Sequence, residues 1–434
     1  MTTAVVGAGL AGLVRARALA ARGEDVMLFE SSDRAGGVVR SERVDGYLLE
    51  LGPNTVRPTP ELWRLVHELG LESEALLADP RMPRYIDFGG RLHRLPTSPA
   101  AFLRTGLLSA RGKLRILAEP FTRPGDASGE TVREFFTRRL GREVADRFVE
   151  PFIAGIWAGS SDRLSLEGAF PALARWEADR GSLTRGAIAA RRNAPREPAA
   201  RKRGLLSFRD GLERLPQRLA EDLGARARFG MAVDSVDRAA HGWTLLVAGE
   251  NVEVERVCIA TPAGEAARLV ESVAPDAAAA LSEIPHTPLV VAHLSAPAGN
   301  RPAGFGHLVV PQSGRRILGA IWSSSLFPGR APLDRALYTA FLGGARDPDA
   351  LELADNWVVE IASRDLSAAL KTPQVFEPVR ITRYPRAIPQ YDLDHRSRME
   401  ALSRAETALS GLSFLGSYRG GISVGDVIRS ALVD

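Results

Sequence analysis

The residues best placed to do chemistry stand at the start of the chain. Gly7-Ala8-Gly9-Leu10-Ala11-Gly12 spaces three glycines as a dinucleotide-binding turn requires. Gly7 permits the tight bend, Gly9 lets backbone N–H groups approach a pyrophosphate, and Gly12 lets the next helix lie against its strand with its positive end toward the phosphates. That spacing alone is a weak signal. Glu30, closing the next apolar run, strengthens it, since a carboxylate there can accept hydrogen bonds from ribose hydroxyls. Arg34-Ala35-Gly36-Gly37 follows at once and extends backbone and guanidinium contacts along a longer cofactor, which nicotinamide does not need and FAD does. Gly52-Pro53-Asn54 is a turn without bulk, able to lie against a flat ring or to serve as an ordinary loop.

These groups need elements to hold them. Residues 3–6 and 25–30 read as short buried strands and residues 10–21 as a helix between them, a compact βαβ unit. Residues 60–204 read as mostly helical, with helices over 60–69, 99–117, 131–152 and 165–178 and a mobile loop over 185–204. From 205 the period changes: a helix at 211–223, then strands near 227–236, 243–247, 251–254 and 257–261, a second visit to the first sheet. Strands near 289–294, 307–310, 317–322, 337–341 and 375–384, with one long helix at 348–370, predict an antiparallel sheet with helices on one side. A helix (396–409), a strand (412–415) and a glycine-rich turn into a last short helix close the chain.

Composition removes other classes. With 434 residues, 45% apolar and 25% charged, the chain is long enough for more than one core and is neither disordered nor collagen-like. No uncharged apolar run is long enough to span a bilayer, and residues 2–6 lead into a strand without an export pattern, so Met1 is the expected mature start. One cysteine, Cys258, and seven scattered histidines offer neither an internal disulfide nor metal spacing; a reducing, cytoplasmic setting is expected and no metal. Only Lys113, Lys202 and Lys371 are lysines among 56 basic residues, so the cations are almost all arginine, the fork that matches carboxylates. Residues 99–204 hold 20 basic and 12 acidic side chains, yet lack the interleaved aromatics of a nucleic-acid site.

ESSDRAGGVVRS, LELGPNTVRP, GIWAGSSDRLSLEGAFPAL, SFRDGLERLP, GFGHLVVP, ILGAIWSSSLFPGRAP, FLGG, RAIPQYDLDH and GSYRGGISVGDVI follow in that order. With them the sequence resembles the flavin amine oxidase superfamily and, within it, the oxygen-dependent protoporphyrinogen oxidases. The resemblance implies an α/β (α+β) fold with a Rossmann-like FAD domain (1–60, 205–265, 404–434), a substrate domain with an antiparallel sheet (61–90, 266–403) and an inserted helical, membrane-associating domain (91–204). It implies non-covalent FAD and oxidation of a porphyrinogen by oxygen, with loss of six hydrogens. Coproporphyrinogen III oxidase, another superfamily member and an inactive relative remain as alternatives. The lysine that amine oxidases present near flavin N5 has no counterpart between Lys202 and Lys371.

Carried over residue by residue, cofactor contacts fall on Gly7 to Gly12, Glu30, Ser31, Arg34, Gly37, Val38, Gly52, Pro53, Asn54, Thr55, Val233, Ser417, Ile422, Ser423 and Val424. Val233 and Val424 would equally serve as core. Substrate contacts fall on Arg84, set to pair with a propionate, on Phe305, Leu308 and Leu318 around a pyrrole ring, and on Gly155, Phe341 and Ile388. Arg84 also fits a surface ion pair, and the apolar three fit strand core. The chemistry is the cofactor's, so no side chain is assigned as catalytic. Two departures accompany the resemblance: the turn after Tyr418 is one residue longer than the family spacing, and the chain ends at Asp434, short of a helix that commonly follows. Residues 99–117 combine Phe102, Leu103, Leu107, Leu108, Leu114 and Leu117 with Arg104, Arg111, Lys113 and Arg115, as a helix lying on anionic lipid or packing on a core would. The family implies peripheral contact with the cytoplasmic membrane face and hand-over of product to a chelatase.

Overall fold

The computed structural model describes residues 1–126, 129–193, 204–300 and 302–433. Its first sheet is parallel, in the order Leu412–Phe414, Arg256–Ile259, Thr2–Val6, Asp25–Phe29, Ala227–Arg228. Three separate stretches of chain build it, so the expected second visit to this sheet occurs. The helix Leu10–Ala21 is a run of alanine, leucine and arginine, good helix formers, and ends at Arg22 just before Gly23 at φ +81°. It packs against the sheet with Pro60–Glu68, Arg214–Leu223 and the closing helix Val424–Leu432. The opposite face is covered by the three antiparallel strands Val233–Arg238, Trp243–Val247 and Glu250–Val254 and by the helices Ala263–Val270 and Pro275–Ser282. Those last two helices are absent from the sequence reading.

The second sheet has seven strands: Glu377–Pro389, His286–Pro297, Arg335–Gly343, Gly319–Ile321, Gly306–Val309, Arg84–Phe88 and Arg91–Arg94. All neighbours are antiparallel except Gly306–Val309 with Arg84–Phe88. One face, with Val290, Ala292, Leu294, Tyr338, Ala340 and Leu342, packs on the helix Asp355–Leu370 through Val358, Ile361, Ala362 and Leu366. Alternate residues point the other way. There Leu337 joins Tyr47, Leu49 and Leu51 of the hairpin Ser41–Val44/Tyr47–Glu50, the Tyr47 and Ser295 hydroxyls share a 2.6 Å hydrogen bond, and His293 Nε2 lies 3.2 Å from the Glu50 carbonyl oxygen. This free face is thereby turned toward the turn that follows Glu50.

Several sequence expectations are corrected. Within 60–204, Ala75–Leu77, Arg84–Phe88 and Arg91–Arg94 are strands; the first is only three residues long and the other two are short and charged, so none gives a periodic signal. Residues 99–117 form two helices, Pro99–Arg104 and Ala110–Leu117, because a second serine, Ser109, caps a new start by accepting the Gly112 N–H. Residues 131–152 divide at Gly141, which at φ +92° ends the helix Val132–Leu140; the chain resumes at Arg142 and runs on to Trp157 through a π turn. Residues 165–178 divide into Leu166–Ala169 and Pro171–Arg180, and 348–370 opens with a 3₁₀ turn, Pro348–Glu352. Of the loop expected over 185–204, residues up to Arg192 belong to the helix Leu183–Arg192 capped by Ser182, while residues 194–203 lie outside the described residues.

Arginine holds the helical block together. Arg139 is fully buried and donates to Glu119 and to the Thr122 and Gly181 carbonyl oxygens; Arg138 forks onto Glu130 and Glu177 at 2.6 to 2.9 Å. These bonds tie the segments that carry Glu119, Glu130 and Glu177 to the helix that carries Arg138 and Arg139.

Candidate active site

The glycine turn is built as its spacing requires. Gly7 sits at φ +105°, and a Cβ on Gly12 would lie 1.9 Å from the Gly7 carbonyl oxygen, so the helix can approach the strand only without one. Gly9 differs: at φ −64° it is unstrained, and nothing lies within 4 Å of where its Cβ would stand. The helix Leu10–Ala21 therefore opens onto free space, with no side-chain cap and no acidic residue in its first turn. An uncapped N-terminus facing open space is an anion site. Leu10 and Ala11 themselves are buried and hold the turn to the core.

Glu30 is fixed beside it. One carboxylate oxygen accepts the Ala8 N–H at 2.7 Å, and the other accepts the Ser32 N–H and hydroxyl at 2.9 Å and the Ser31 hydroxyl at 3.3 Å. Gly9 bridges to Gly36, and Gly37 passes so close that its Cβ would stand 3.2 Å from Gly9 Cα. Arg34 is folded onto its own loop, donating to the Gly37 carbonyl oxygen at 2.7 Å and lying 3.5 Å from Glu213, so it shapes the loop more than it reaches outward. The Val38 carbonyl oxygen occupies the space of a Gly52 Cβ at 1.9 Å, and Asn54 donates to the Gly52 carbonyl oxygen at 3.2 Å, closing the Gly52-Pro53-Asn54-Thr55 turn. Gly9, Gly37, Val38 and Gly52 thus form a backbone-lined cradle that side chains would fill. A small cavity beside Asn54 is walled by Glu50, Ser323, Arg330 and Thr339. Burial pushes the Glu50 carboxyl up, against the pull of Arg330 and the Ser41, Leu212 and Ser207 donors.

The substrate candidates come together on the free face of the second sheet. Arg84 pairs in register with Gly306, and its exposed guanidinium lies 5.3 Å from the centre of the Phe305 ring. Two residues on, Leu308 Cδ2 stands 2.3 Å from where a Gly155 Cβ would be, which joins the sheet to the helix Glu150–Trp157. Leu318, Phe341 and Ile388 share one apolar cluster with Ala154, Ala158 and Leu289, and Leu318 donates its N–H to the Phe341 carbonyl oxygen at 2.7 Å. Leu318 is only 1% exposed and so backs this wall, whereas Phe305, Leu308, Phe341 and Ile388 keep surface free.

Cofactor and substrate candidates meet at the C-terminal turn. Ile422 and Ile388 both pack against one apolar cluster, which includes Trp157 and Tyr391. Ser423 caps the helix Val424–Leu432 by accepting the Asp426 N–H at 3.1 Å, and Val424 packs on the core that holds the glycine helix. Val233 is buried against the first sheet, so only its backbone can serve a ligand, and its carbonyl oxygen already accepts from Arg268 at 3.4 Å. Sequence reasoning passed over Tyr391, whose hydroxyl donates to the Ser417 carbonyl oxygen at 2.6 Å and accepts the Gly421 N–H at 3.0 Å. The only signal for it was its place in RAIPQYDLDH, between Ile388 and the last turn.

The family model for flavin containing amine oxidoreductases matches residues 10–432. The chain belongs to that family. It is 31% identical over 98% of its length to a chloroplastic protoporphyrinogen oxidase of Nicotiana tabacum, covering 83% of the tobacco protein. It is 32% identical over 99% of its length to the protoporphyrinogen oxidase of Homo sapiens, covering 96% of it. Among solved structures, a protein of Exiguobacterium sp. 255-15 superposes with a TM-score of 0.79 at 22% identity, over 99% of this chain and 97% of that one. A reduced UDP-galactopyranose mutase gives 0.75 at 17% identity, over 99% and 92%. At those identities the superpositions establish the fold, which is the flavin amine oxidase fold. Membership makes the protein an FAD oxidoreductase, and the open helix start, the fixed Glu30 and the bare cradle fit that cofactor.

Proposed function

We propose that this family member oxidises protoporphyrinogen IX to protoporphyrin IX, removing six hydrogens as three two-electron oxidations and reducing oxygen to hydrogen peroxide. One observation carries the reading: the wall that ends in Ile388 and the turn that carries Ile422 both pack against one apolar cluster, which would bring a cofactor edge and an apolar slot to the same part of the molecule. The full-length likeness to protoporphyrinogen oxidases supports it. Residues 1–60, 205–265 and 404–434 would form the cofactor domain and 61–90 and 266–403 the substrate domain, to whose sheet the strand Arg91–Arg94 also belongs, and the remainder of 91–204 a helical domain.

When bound, FAD supplies the two-electron acceptor chemistry. The N-terminal end of Leu10–Ala21 would hold its pyrophosphate and Glu30 its ribose, with Ser31, Gly37, Val38, the 52–55 turn, Val233, Ser417, Ile422, Ser423 and Val424 contributing largely through backbone. On the substrate side, Phe305, Leu308 and Phe341 orient an apolar ring and exclude water, and Arg84 pairs with a propionate at the open end. Ile388 and Gly155 set the width of the slot, backed by Leu318.

The basic helices Pro99–Arg104 and Ala110–Leu117 expose Leu103, Leu114 and Leu117, with Phe121 beyond them, beside Arg104, Arg111 and Lys113. That surface suits peripheral contact with an anionic cytoplasmic leaflet, where product could pass to a chelatase. Among the described residues no helix is long and apolar enough to cross a membrane. One preparation tests both readings. Membranes washed at low and then high salt should release a yellow protein in the salt step, and its oxygen uptake should be faster on protoporphyrinogen IX than on coproporphyrinogen III. Preference for the latter would replace the substrate reading, and complete recovery in the low-salt supernatant would remove the membrane one.

A further inference from the structure

The strand Glu377–Pro389 ends in Gln390-Tyr391, and these two side chains reach in opposite directions into three parts of the molecule. Gln390 is buried, and its Nε2 donates to the Trp157 carbonyl oxygen at 2.8 Å, to the Ile388 carbonyl oxygen at 3.1 Å and to Thr287 Oγ1 at 3.3 Å. Its Oε1 lies 2.3 Å from where a Cβ on Gly159 would stand, so the chain leaving the helix Glu150–Trp157 is shaped around this amide. Gln390 therefore fixes the end of the helix that carries Gly155.

Tyr391 reaches the other way. Its ring meets Trp157 edge-on at 5.0 Å and stacks on His395 at 3.8 Å, nearly parallel at 8°. Both contacts aim its hydroxyl across the 417–421 turn, donating to the Ser417 carbonyl oxygen and accepting the Gly421 N–H. Gly421 sits at φ +120° and Gly420 at +84°, conformations that glycine adopts at little cost but does not hold by itself, and the Tyr391 hydroxyl fixes both sides of this pair, alongside Arg419, which bonds to Glu406 and the Phe414 carbonyl oxygen. Directly beyond the pair come Ile422, Ser423 and Val424.

We propose that Tyr391 is a positioning residue for the cofactor's C-terminal contacts and that, through Gln390, the same dipeptide sets the substrate slot, so that the geometry of the two is linked. The proposal rests on the cofactor reading above. Neither side chain is asked to touch reacting atoms.

Tyr391→Phe keeps the ring stack and removes both hydrogen bonds to the turn. In the full-length protein, stripped of flavin and titrated with FAD by flavin fluorescence, the dissociation constant should rise about five- to tenfold, the effect of roughly one hydrogen bond's net worth. The melting temperature of the flavin-free form should stay within about 2 °C, since on this argument the turn is shaped for the ligand and not for the fold. An unchanged dissociation constant would overturn the proposal. So would a large fall in flavin-free melting temperature with FAD affinity retained, which marks a merely structural tyrosine.

A measurement on the unaltered chain serves if the variant does not fold. FAD addition should slow hydrogen exchange in peptides covering 416–424 and, with them, 388–392 and 155–160; slowing confined to the first would refute the linkage. Neither readout depends on turnover. A protein that binds FAD but leaves porphyrinogens untouched would sink the substrate reading while these tests still decide the proposal, and a chain that takes up no FAD would sink both.

Discussion

Arg84 shows what a single charged side chain can do at the rim of such a site. It lies at the first position of a strand, exposed, with its guanidinium over Phe305 and, among the described residues, no carboxylate paired with it. A surface arginine without an acidic partner contributes little to folding, which leaves it free to meet a carboxylate brought by substrate. A charge-assisted pair of this kind is worth about 1.5 to 3 kcal/mol, and at an exposed rim the lower end applies, so Arg84→Ala should raise KM for protoporphyrinogen IX about tenfold. Flavin content should not change, because the glycine turn and the 417–424 segment stand elsewhere. Arg84→Lys keeps the charge but loses the fork and should recover only part of the affinity. Steady-state kinetics with flavin absorbance of the same samples check this; a drop in bound flavin equal to the loss of rate would remove Arg84 from the substrate's binding residues.

The elements turn glycine spacing into two different demands, and these can be separated by experiment. A methyl group on Gly12 would meet the Gly7 carbonyl oxygen at 1.9 Å, a backbone atom that cannot move without lifting the helix from its strand. Gly12→Ala should therefore lower both the melting temperature and the FAD affinity. A methyl group on Gly9 meets no protein atom, and its backbone angles suit any residue. Gly9→Ala should leave the flavin-free melting temperature unchanged while weakening FAD binding tenfold or more, by about 1.4 kcal/mol or above. Calorimetry of the flavin-free forms and FAD titration distinguish the two; equal loss of stability in both would mean that Gly9 serves packing alone. This contrast also shows why the nucleotide turn was legible in the sequence, since each glycine answers to local geometry. The strand carrying Arg84 was not legible, because its partner Gly306–Val309 lies more than two hundred residues further on, and Arg91–Arg94, a charged edge strand, pairs only with it. The helix Pro275–Ser282 was missed for another reason: its small alanines fill the narrow space beside the first sheet and present no strong apolar stripe, whereas Ala263–Val270 does carry an apolar face that the sequence reading passed over. Leu318 was legible as part of a wall but not as its hidden layer, since depth depends on which strands cover it.

At the scale of the whole molecule, acid should be the first condition to weaken the fold, through histidines on three different elements. His293 on the strand His286–Pro297, His307 on Gly306–Val309 and His395 on His395–Ala408 are all buried. Burial lowers their pKa values, to about 4 for His293, about 3 for His307, where Arg315 adds to the effect, and about 4 for His395. Below the ordinary value of 6.5 the unfolded chain binds protons that the native chain refuses. Stability is then complete above about pH 6.5 and falls as pH drops toward 4, by about 1.4 kcal/mol per pH unit for each histidine. Glu119 continues the trend lower down. Its burial is outweighed by donors from Thr184, Ser182 and Leu183, which hold it at about 2, so its contribution is present above pH 4.5 and is lost between there and 2. His307 is the cleanest member to remove, because among the described residues neither ring nitrogen has a hydrogen-bond partner and its replacement orphans no other group. His307→Leu should raise stability at pH 5 relative to the unaltered protein by more than it does at pH 7, leaving a shallower slope between pH 6.5 and 4. Urea unfolding across that range, with FAD held in excess, reads the slope directly. An identical pH dependence in the variant would mean that His307 takes up its proton inside the folded sheet, which an imidazole with no partner and no water contact cannot do at pH 6 without opening the strands around it.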